Sequence, residues 1–159
     1  MVGCPNETGD AQVARLNRIL RDLLERTDAS RVTLRVDIPE RGFDVITPVA
    51  EARIPEALSL MEESSLNQRG TETVKWMVRE RRVLVQNDVF TDAPAAPQAL
   101  VEVYKVRAQM LGPLFRDDWL AGWISVHNND RPRVWRQEDI DALKGATQEI
   151  HRELFGEAA

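Results

Sequence analysis

Residues 106–115 and 119–128 form two long, largely apolar runs separated only by Arg116-Asp117-Asp118. Strands joined by so short a polar turn pair antiparallel, since a parallel pair needs a crossover of a dozen residues or more. Pro113 is expected to end ladder donation where the chain turns. Gly122 is expected to permit close approach of a helix or a ligand to the second strand. Along the two runs Arg107, Gln109, Ser125 and His127 alternate so as to share one sheet face. That many polar groups on one face point to a wet pocket.

The rest of the chain supplies cover for this hairpin. Val13, Leu16, Leu20, Leu23, Leu24 and Thr27 recur at helical spacing and predict an amphipathic helix of about 17 residues, with Asp10 as its N-cap. Residues 1–9, with Gly3, Pro5 and Gly9, read as a flexible tail before a domain spanning 10–156. Arg31 to Ile38 alternates Val32, Leu34, Val36 and Ile38 against Arg31, Thr33, Arg35 and Asp37, the pattern of a half-buried strand. A turn at Pro39 to Gly42 offers glycine for positive φ. It leads to a second strand from Phe43 to Arg53, where Pro48 implies an edge or a bulge. The spacing predicts helices over Pro55–Glu62, Thr71–Arg81 and Gln98–Tyr104, and a brief strand at Val83-Leu84-Val85. From Gln137 to Phe155, Ile140, Leu143, Thr147, Ile150 and Leu154 mark the seam of a last helix, with Glu138 and Asp139 favourable in its first turn.

Helices at both ends of an antiparallel sheet define an α+β layered fold, and 159 residues suffice for one such domain. A net charge of −5 argues against a general nucleic-acid binder, because such a surface repels phosphate. The one basic cluster, Arg79 with Arg81 and Arg82, reads as a solvated helix end. No apolar run reaches the length of a membrane span, and the N-terminus lacks the basic and apolar regions of a signal peptide. A cytoplasmic location with no membrane partner is therefore expected. The single cysteine, Cys4, has no partner for an internal disulfide, in keeping with a reducing compartment. His127 and His151 stand alone, with no H-x-x-x-H or C-x-x-C spacing, so neither metal nor cofactor is expected. His127 reads as a polar strand end and His151 as exposed.

Three phrases resemble the GAF domain family. Val74 to Asp92 is similar to the family's helix, short third strand and Asp-containing loop bordering the ligand pocket. Gly112-Pro113-Leu114 with Leu120-Ala121-Gly122-Trp123-Ile124 resembles its two long strands. Trp135-Arg136-Gln137-Glu138-Asp139 resembles the aromatic-then-acidic entry to its last helix, where the aromatic can act as a hydrophobic staple. The resemblance implies a central antiparallel sheet. N- and C-terminal helices would pack on one face, and loops and short helices would roof a pocket on the other. Trp76, Phe90, Tyr104 and Trp123 would line that pocket or fill the core. Asp88 and Asp92 would bind a ligand hydroxyl or amine, or satisfy backbone donors in their own loop. Arg107, Gln109, Ser125 and His127 supply its polar face.

The chain departs from several family activities. The Asn-Lys-Phe-Asp-Glu motif of cyclic-nucleotide GAF domains is not recognisable. Bilin attachment needs a cysteine in the pocket, and Cys4 lies far outside it in sequence. The free methionine sulfoxide reductases of this fold use several cysteines, which makes that enzyme a remote alternative. No nucleophile, base and acid assemble into a catalytic set, so no enzyme activity is expected. The expected function is a small-molecule sensor that signals through its terminal helices to a separate effector polypeptide, with those helices also forming a homodimer. The alternative is a ligand-free interaction or dimerisation domain whose pocket is filled by its own aromatics.

Overall fold

The computed structural model describes the chain from residue 5 to residue 156, with side chains from residue 9. Cys4 lies outside the described residues. Four helices and five strands run in the order α1 (Pro5–Thr27), β1 (Arg31–Val36), β2 (Ala50–Arg53), α2 (Glu72–Glu80), β3 (Leu84–Gln86), α3 (Gln98–Glu102), β4 (Val106–Arg116), β5 (Trp119–Asn129) and α4 (Gln137–Phe155). The strands form one sheet in the order β2-β1-β5-β4-β3, and every neighbouring pair is antiparallel. The architecture is the α+β fold expected.

Alternation along the strands splits the sheet into two chemically different faces. Val32, Leu34, Val36, Met110, Leu114, Ile124 and Val126 face α1 and α4, whose Leu16, Leu20, Leu23, Leu143 and Ile150 complete one buried apolar cluster. Both helices follow the predicted seams, because an apolar stripe at 3.6-residue spacing has nowhere else to go. Arg133 joins the ends of this layer. Its guanidinium donates to the carbonyls of Thr27 and Asp28 at the end of α1, and also to Asp139 in the first turn of α4. Asp139 in turn accepts the Arg136 backbone N–H at 2.9 Å, which caps α4. Trp135 is buried beside Ile140, as a staple requires, and its indole donates to the Gln86 carbonyl at 3.1 Å.

Several local expectations are corrected. The first helix begins at Pro5 and not after a tail ending at Gly9. Proline is well suited to the first helical position, and glycine in a helix costs only about 1 kcal/mol. β1 is buried along its whole length, not half-buried, because it lies between β2 and β5 with cover on both faces. The second strand is confined to Ala50–Arg53. Pro48 precedes it, and the edge position that proline implied holds for β2. Residues 55–62 form irregular turns and not a helix. Backbone donors there are met by side chains, as where Glu51 accepts the Leu60 N–H at 2.7 Å. Pro113 does not end its strand, since β4 continues to Arg116. β3 pairs with β4 only as far as Leu111, so Pro113 lies beyond that pairing and its missing N–H costs no ladder bond. Gly122 admits neither helix nor ligand. A Cβ there would lie 2.2 Å from the Arg35 carbonyl oxygen, so the close neighbour is β1. Gly42 takes φ +71°, as the turn requires.

Candidate functional site

The other face of the sheet is polar in its middle. β1 turns Arg31, Thr33 and Arg35 to this side, and their cross-strand partners on β5 are His127, Ser125 and Trp123. Gln109 of β4 stands opposite His127. The roof is built from the segment after β2, from α2, and from the Pro97–Leu100 stretch that opens α3. Between sheet and roof lies a cavity of about 20 Å3, bounded below by Thr33, Arg35, Gln109, Trp123, Ser125 and His127, and above by Leu60, Val74 and Leu100. That is space for about one water molecule.

Arg31 has no exposed surface, and each of its hydrogen-bond acceptors is neutral. Nε donates to His127 Nδ1 at 3.2 Å, Nη1 to the Leu58 carbonyl at 2.9 Å, and Nη2 to the Tyr104 carbonyl at 3.3 Å. Arg35 gives Nη1 to the Val45 and Ile46 carbonyls at 2.9 and 2.6 Å. Among the described residues neither arginine has a carboxylate within ion-pair distance. Burial lowers both to about 10, with Glu51 opposing the shift at Arg31 and Glu63 opposing it at Arg35. Both remain cationic at neutral pH.

His127 is 1% exposed. Because its Nδ1 accepts from Arg31, the ring proton is fixed on Nε2, and Nε2 has no hydrogen-bond partner among the described residues. Burial first, then Arg31 and Arg35, push its pKa well below 6.5 and keep the ring neutral. The rim is tied by Tyr104, whose hydroxyl donates to Glu63 at 3.1 Å. Hydrogen bonds from Ser65 and Tyr104 hold Glu63 below the usual carboxylate range. Burial and Glu63 raise the Tyr104 phenol.

Of the ten residues predicted for the site, Gln109, Trp123, Ser125 and His127 line the cavity; Tyr104 is outside that lining and accepts from Arg31 through its backbone carbonyl. The other five lie elsewhere. Arg107 falls at a slip in the β4–β5 register between Val106 and Ala108. At the rim it makes a two-pronged pair with Asp88 at 2.9 and 3.1 Å and stacks over Phe90, which is 62% exposed. That pairing lowers Asp88 and raises Arg107. Asp92 accepts the Asn87 and Asp88 N–H groups at 2.8 and 3.0 Å, the loop-capping role. Trp76 packs outside the cavity against a second cluster around Val74, Met77 and Trp123 and stacks with Arg82. Gln109 is itself tethered, donating to Gln86 Oε1 at 2.7 Å.

Sequence reasoning missed Arg31, Thr33 and Arg35. Their alternation with Val32, Leu34 and Val36 was legible, but the polar side resembles a solvated face until the roof is placed. His151 is half-buried and not exposed as the spacing predicts. It shares a hydrogen bond with the Phe115 carbonyl at 2.9 Å in an open groove of about 540 Å3 between the end of β4 and α4. That groove lies on the helix side of the sheet, away from the buried polar groups. No cluster of three or more metal-ligating side chains occurs among the described residues. No helix among them is long and apolar enough to cross a membrane.

An antiparallel sheet backed by its two terminal helices and roofed over a polar centre is the layout that the sequence resemblance implied. The GAF domain model matches residues 13–154, nearly the whole chain, and this protein belongs to the GAF domain family. Among similar solved structures is the blue-light absorbing form of the Thermosynechococcus elongatus PixJ GAF domain. It is 21% identical with a TM-score of 0.69, over 95% of this chain and 90% of that one. The chromophore-binding domain of Stigmatella aurantiaca bacteriophytochrome is 15% identical with a TM-score of 0.68, over 95% of this chain and 60% of that one. The type II free methionine-R-sulfoxide reductase of Thermoplasma acidophilum is 11% identical with a TM-score of 0.66, over 91% and 93%. At these identities the likeness is one of fold. No curated protein matches the chain.

Proposed function

We propose that this GAF domain is a non-catalytic sensory module that binds a small molecule on the roofed face of its sheet and transmits occupancy through α1 and α4. The observation behind this reading is the donor set buried beneath the roof. Two arginines without acid partners and an imidazole N–H without an acceptor are costly features in a merely structural interior. Transmission has a direct path, because the residues facing the cavity alternate along β1, β4 and β5 with those packed on the helices. A ligand that favours one placement of these strands biases the helix pair.

A chromophore of the kind bound by the bacteriophytochrome neighbour does not fit this chain as it stands. The cavity of about 20 Å3 is far below the roughly 300 Å3 or more of ligand pockets, and the sequence has no cysteine beyond Cys4. The same small volume favours the second reading, a ligand-free interaction domain. A thermal-shift screen with nucleotides, amino acids and aromatic acids separates the two. One ligand class raising the melting temperature supports sensing, and silence across the screen favours the interaction domain. The homodimer through α1 and α4 is part of the proposal. Light scattering of the purified protein should give twice the 18.1 kDa chain mass, and a monomer would remove the dimer from the signalling scheme.

A further inference from the structure

Resting on the sensory reading, we infer that the ligand is a small organic carboxylate, with its anionic end seated between Arg35 and His127 and its apolar body beneath Leu60 and Leu100. Three independent features of the cavity converge on an anion. Its walls include Arg35, and its floor includes the His127 ring that Arg31 holds in place. Neither guanidinium meets a carboxylate among the described residues, although both are buried. The nearest acids are committed elsewhere: Glu51 to Ser59, the Leu60 N–H and Arg53, and Glu63 to Ser65 and Tyr104. Buried charge without a partner is expensive, and an entering anion supplies that partner.

The second feature is the His127 Nε2–H, a buried donor with no acceptor. The hydrogen bond from Arg31 to Nδ1 fixes that proton on Nε2, in a ring that lines the cavity. The third is the pair Thr33 and Ser125, directly opposite each other on β1 and β5 and both lining the cavity. Their hydroxyls make no side-chain hydrogen bond among the described residues and are free to donate to carboxylate oxygens. A guanidinium, an imidazole N–H and two hydroxyls match the acceptor sites of one planar carboxylate.

The remaining lining sets the character of the ligand. Leu60, Leu100, Leu111 and Trp123 surround the polar centre, an apolar lining that favours an uncharged body over a second charged group. The closed volume of about 20 Å3 is too small to hold that body with the roof in place. Entry requires the roof to lift. The segment from residue 54 to residue 67 has no regular structure, and Arg31 tethers it through the Leu58 carbonyl. Lifting the roof to admit an anion strains that tether. Ligand binding and roof position are thereby coupled.

The test uses the whole protein at neutral pH and constant ionic strength, titrated with acetate, isobutyrate, 2-oxobutyrate and benzoate, each compared with its uncharged amide. The expected result is a saturable rise in melting temperature with at least one acid and none with its amide. The His127 Nε2–H resonance should move with the acid alone. Arg35→Gln should weaken the affinity at least about tenfold, the loss expected for one charge-assisted hydrogen bond. Ser125→Ala, a milder change that keeps the fold if Arg35→Gln does not, should weaken it severalfold. Asp88→Asn, on the outer rim, should leave the response intact. Equal responses to acid and amide, or retention of the acid response in both cavity variants, overturns the inference. If only an uncharged compound from the wider screen binds, the carboxylate assignment falls and the sensor reading stands. If nothing binds in either set, both fall.

Discussion

Acidification from pH 7.5 to pH 5.0 should cost this protein stability through one residue, His127. The imidazole is buried, its Nδ1 is already filled by the Arg31 Nε–H, and two guanidiniums lie close by. Burial, then Arg31, then Arg35 hold its folded-state pKa well below the ordinary 6.5. The unfolded chain therefore binds a proton as pH falls through about 6.5, whereas the folded chain does not. Stability rises with pH wherever the unfolded state holds more protons, so it must decline below that point. The slope approaches about 1.36 kcal/mol per pH unit. At pH 5.0, one and a half units below 6.5, the accumulated loss is about 2 kcal/mol.

Urea denaturation at four pH values between 7.5 and 5.0 reads this directly, with His127→Gln as the reference. Glutamine retains an acceptor for Arg31 but has no proton to gain. Glu63 and Asp88, whose folded pKa values are lowered, contribute stability that is lost only as pH nears the ordinary carboxylate range. They are common to both proteins and cancel in the difference. The gap between wild type and variant should narrow, or reverse in favour of the variant, by about 2 kcal/mol across the range. A gap that stays constant with pH would refute the buried, neutral imidazole.

Three further outcomes follow from contacts elsewhere. Gly122→Ala should cost more than about 3 kcal/mol, since its Cβ meets the Arg35 carbonyl oxygen at 2.2 Å and the Val36 Cα at 2.7 Å. Gly112→Ala meets only the side chains of Thr147 and Leu143, which can rotate, and should cost about 1–2 kcal/mol; equal thermal destabilisation by the two would contradict the packing. Asp139→Ala removes both the Arg136 cap and the Arg133 pair and should cost about 2 kcal/mol or more in urea titrations, whereas a change below about 0.5 kcal/mol would show that the junction of α1 and α4 is held by packing alone. Arg31→Met leaves His127 Nδ1 and the Leu58 and Tyr104 carbonyls without their donor and should cost about 2 kcal/mol or more. Amide exchange in residues 54–63 should accelerate more than in β4 and β5, and an equal rise in both would show that Arg31 does not tether the roof.

The elements legible in the sequence are those whose pattern is enforced by one partner. α4 matches its predicted bounds because a single apolar seam meets a single sheet face. β4 and β5 match closely because their connecting turn leaves no other pairing. The misreadings occur where a second layer changes the meaning of a pattern. Arg31, Thr33 and Arg35 have the spacing of a solvated strand face, and only the later roof converts them into an interior. Residues 55–62 have a composition compatible with a helix, but Glu51 and Arg53 intercept their backbone groups and hold them in turns. Arg107 shares parity with Gln109, yet one register slip places it at the rim. The irregularity is a local bulge between Val106 and Ala108, and the residue types along the strand do not reveal where such an extra residue is inserted.

The polar centre and the apolar back of this sheet belong to the same three strands, and that sharing makes a signal physically possible. Leu34 and Val36 pack on the helix layer, while Thr33 and Arg35 between and beside them face the cavity. A strand cannot move one set of side chains without displacing the other, because pleating fixes their alternation. Close packing on the helix side leaves little room to absorb such a shift locally, and Gly112 and Gly122 mark where the tolerance is least. Any ligand that displaces β1 relative to β5 must therefore either strain the helix layer or move α1 against α4. Arg133 holds the end of α1 to the start of α4 through Thr27, Asp28 and Asp139, whereas at the opposite ends Gln12 and Arg15 both meet Glu153, the second through a part-exposed pair that water screens. Motion should accordingly be greatest near the start of α1 and the end of α4, where Arg15 pairs with Glu153 across the two helices at 2.7 Å.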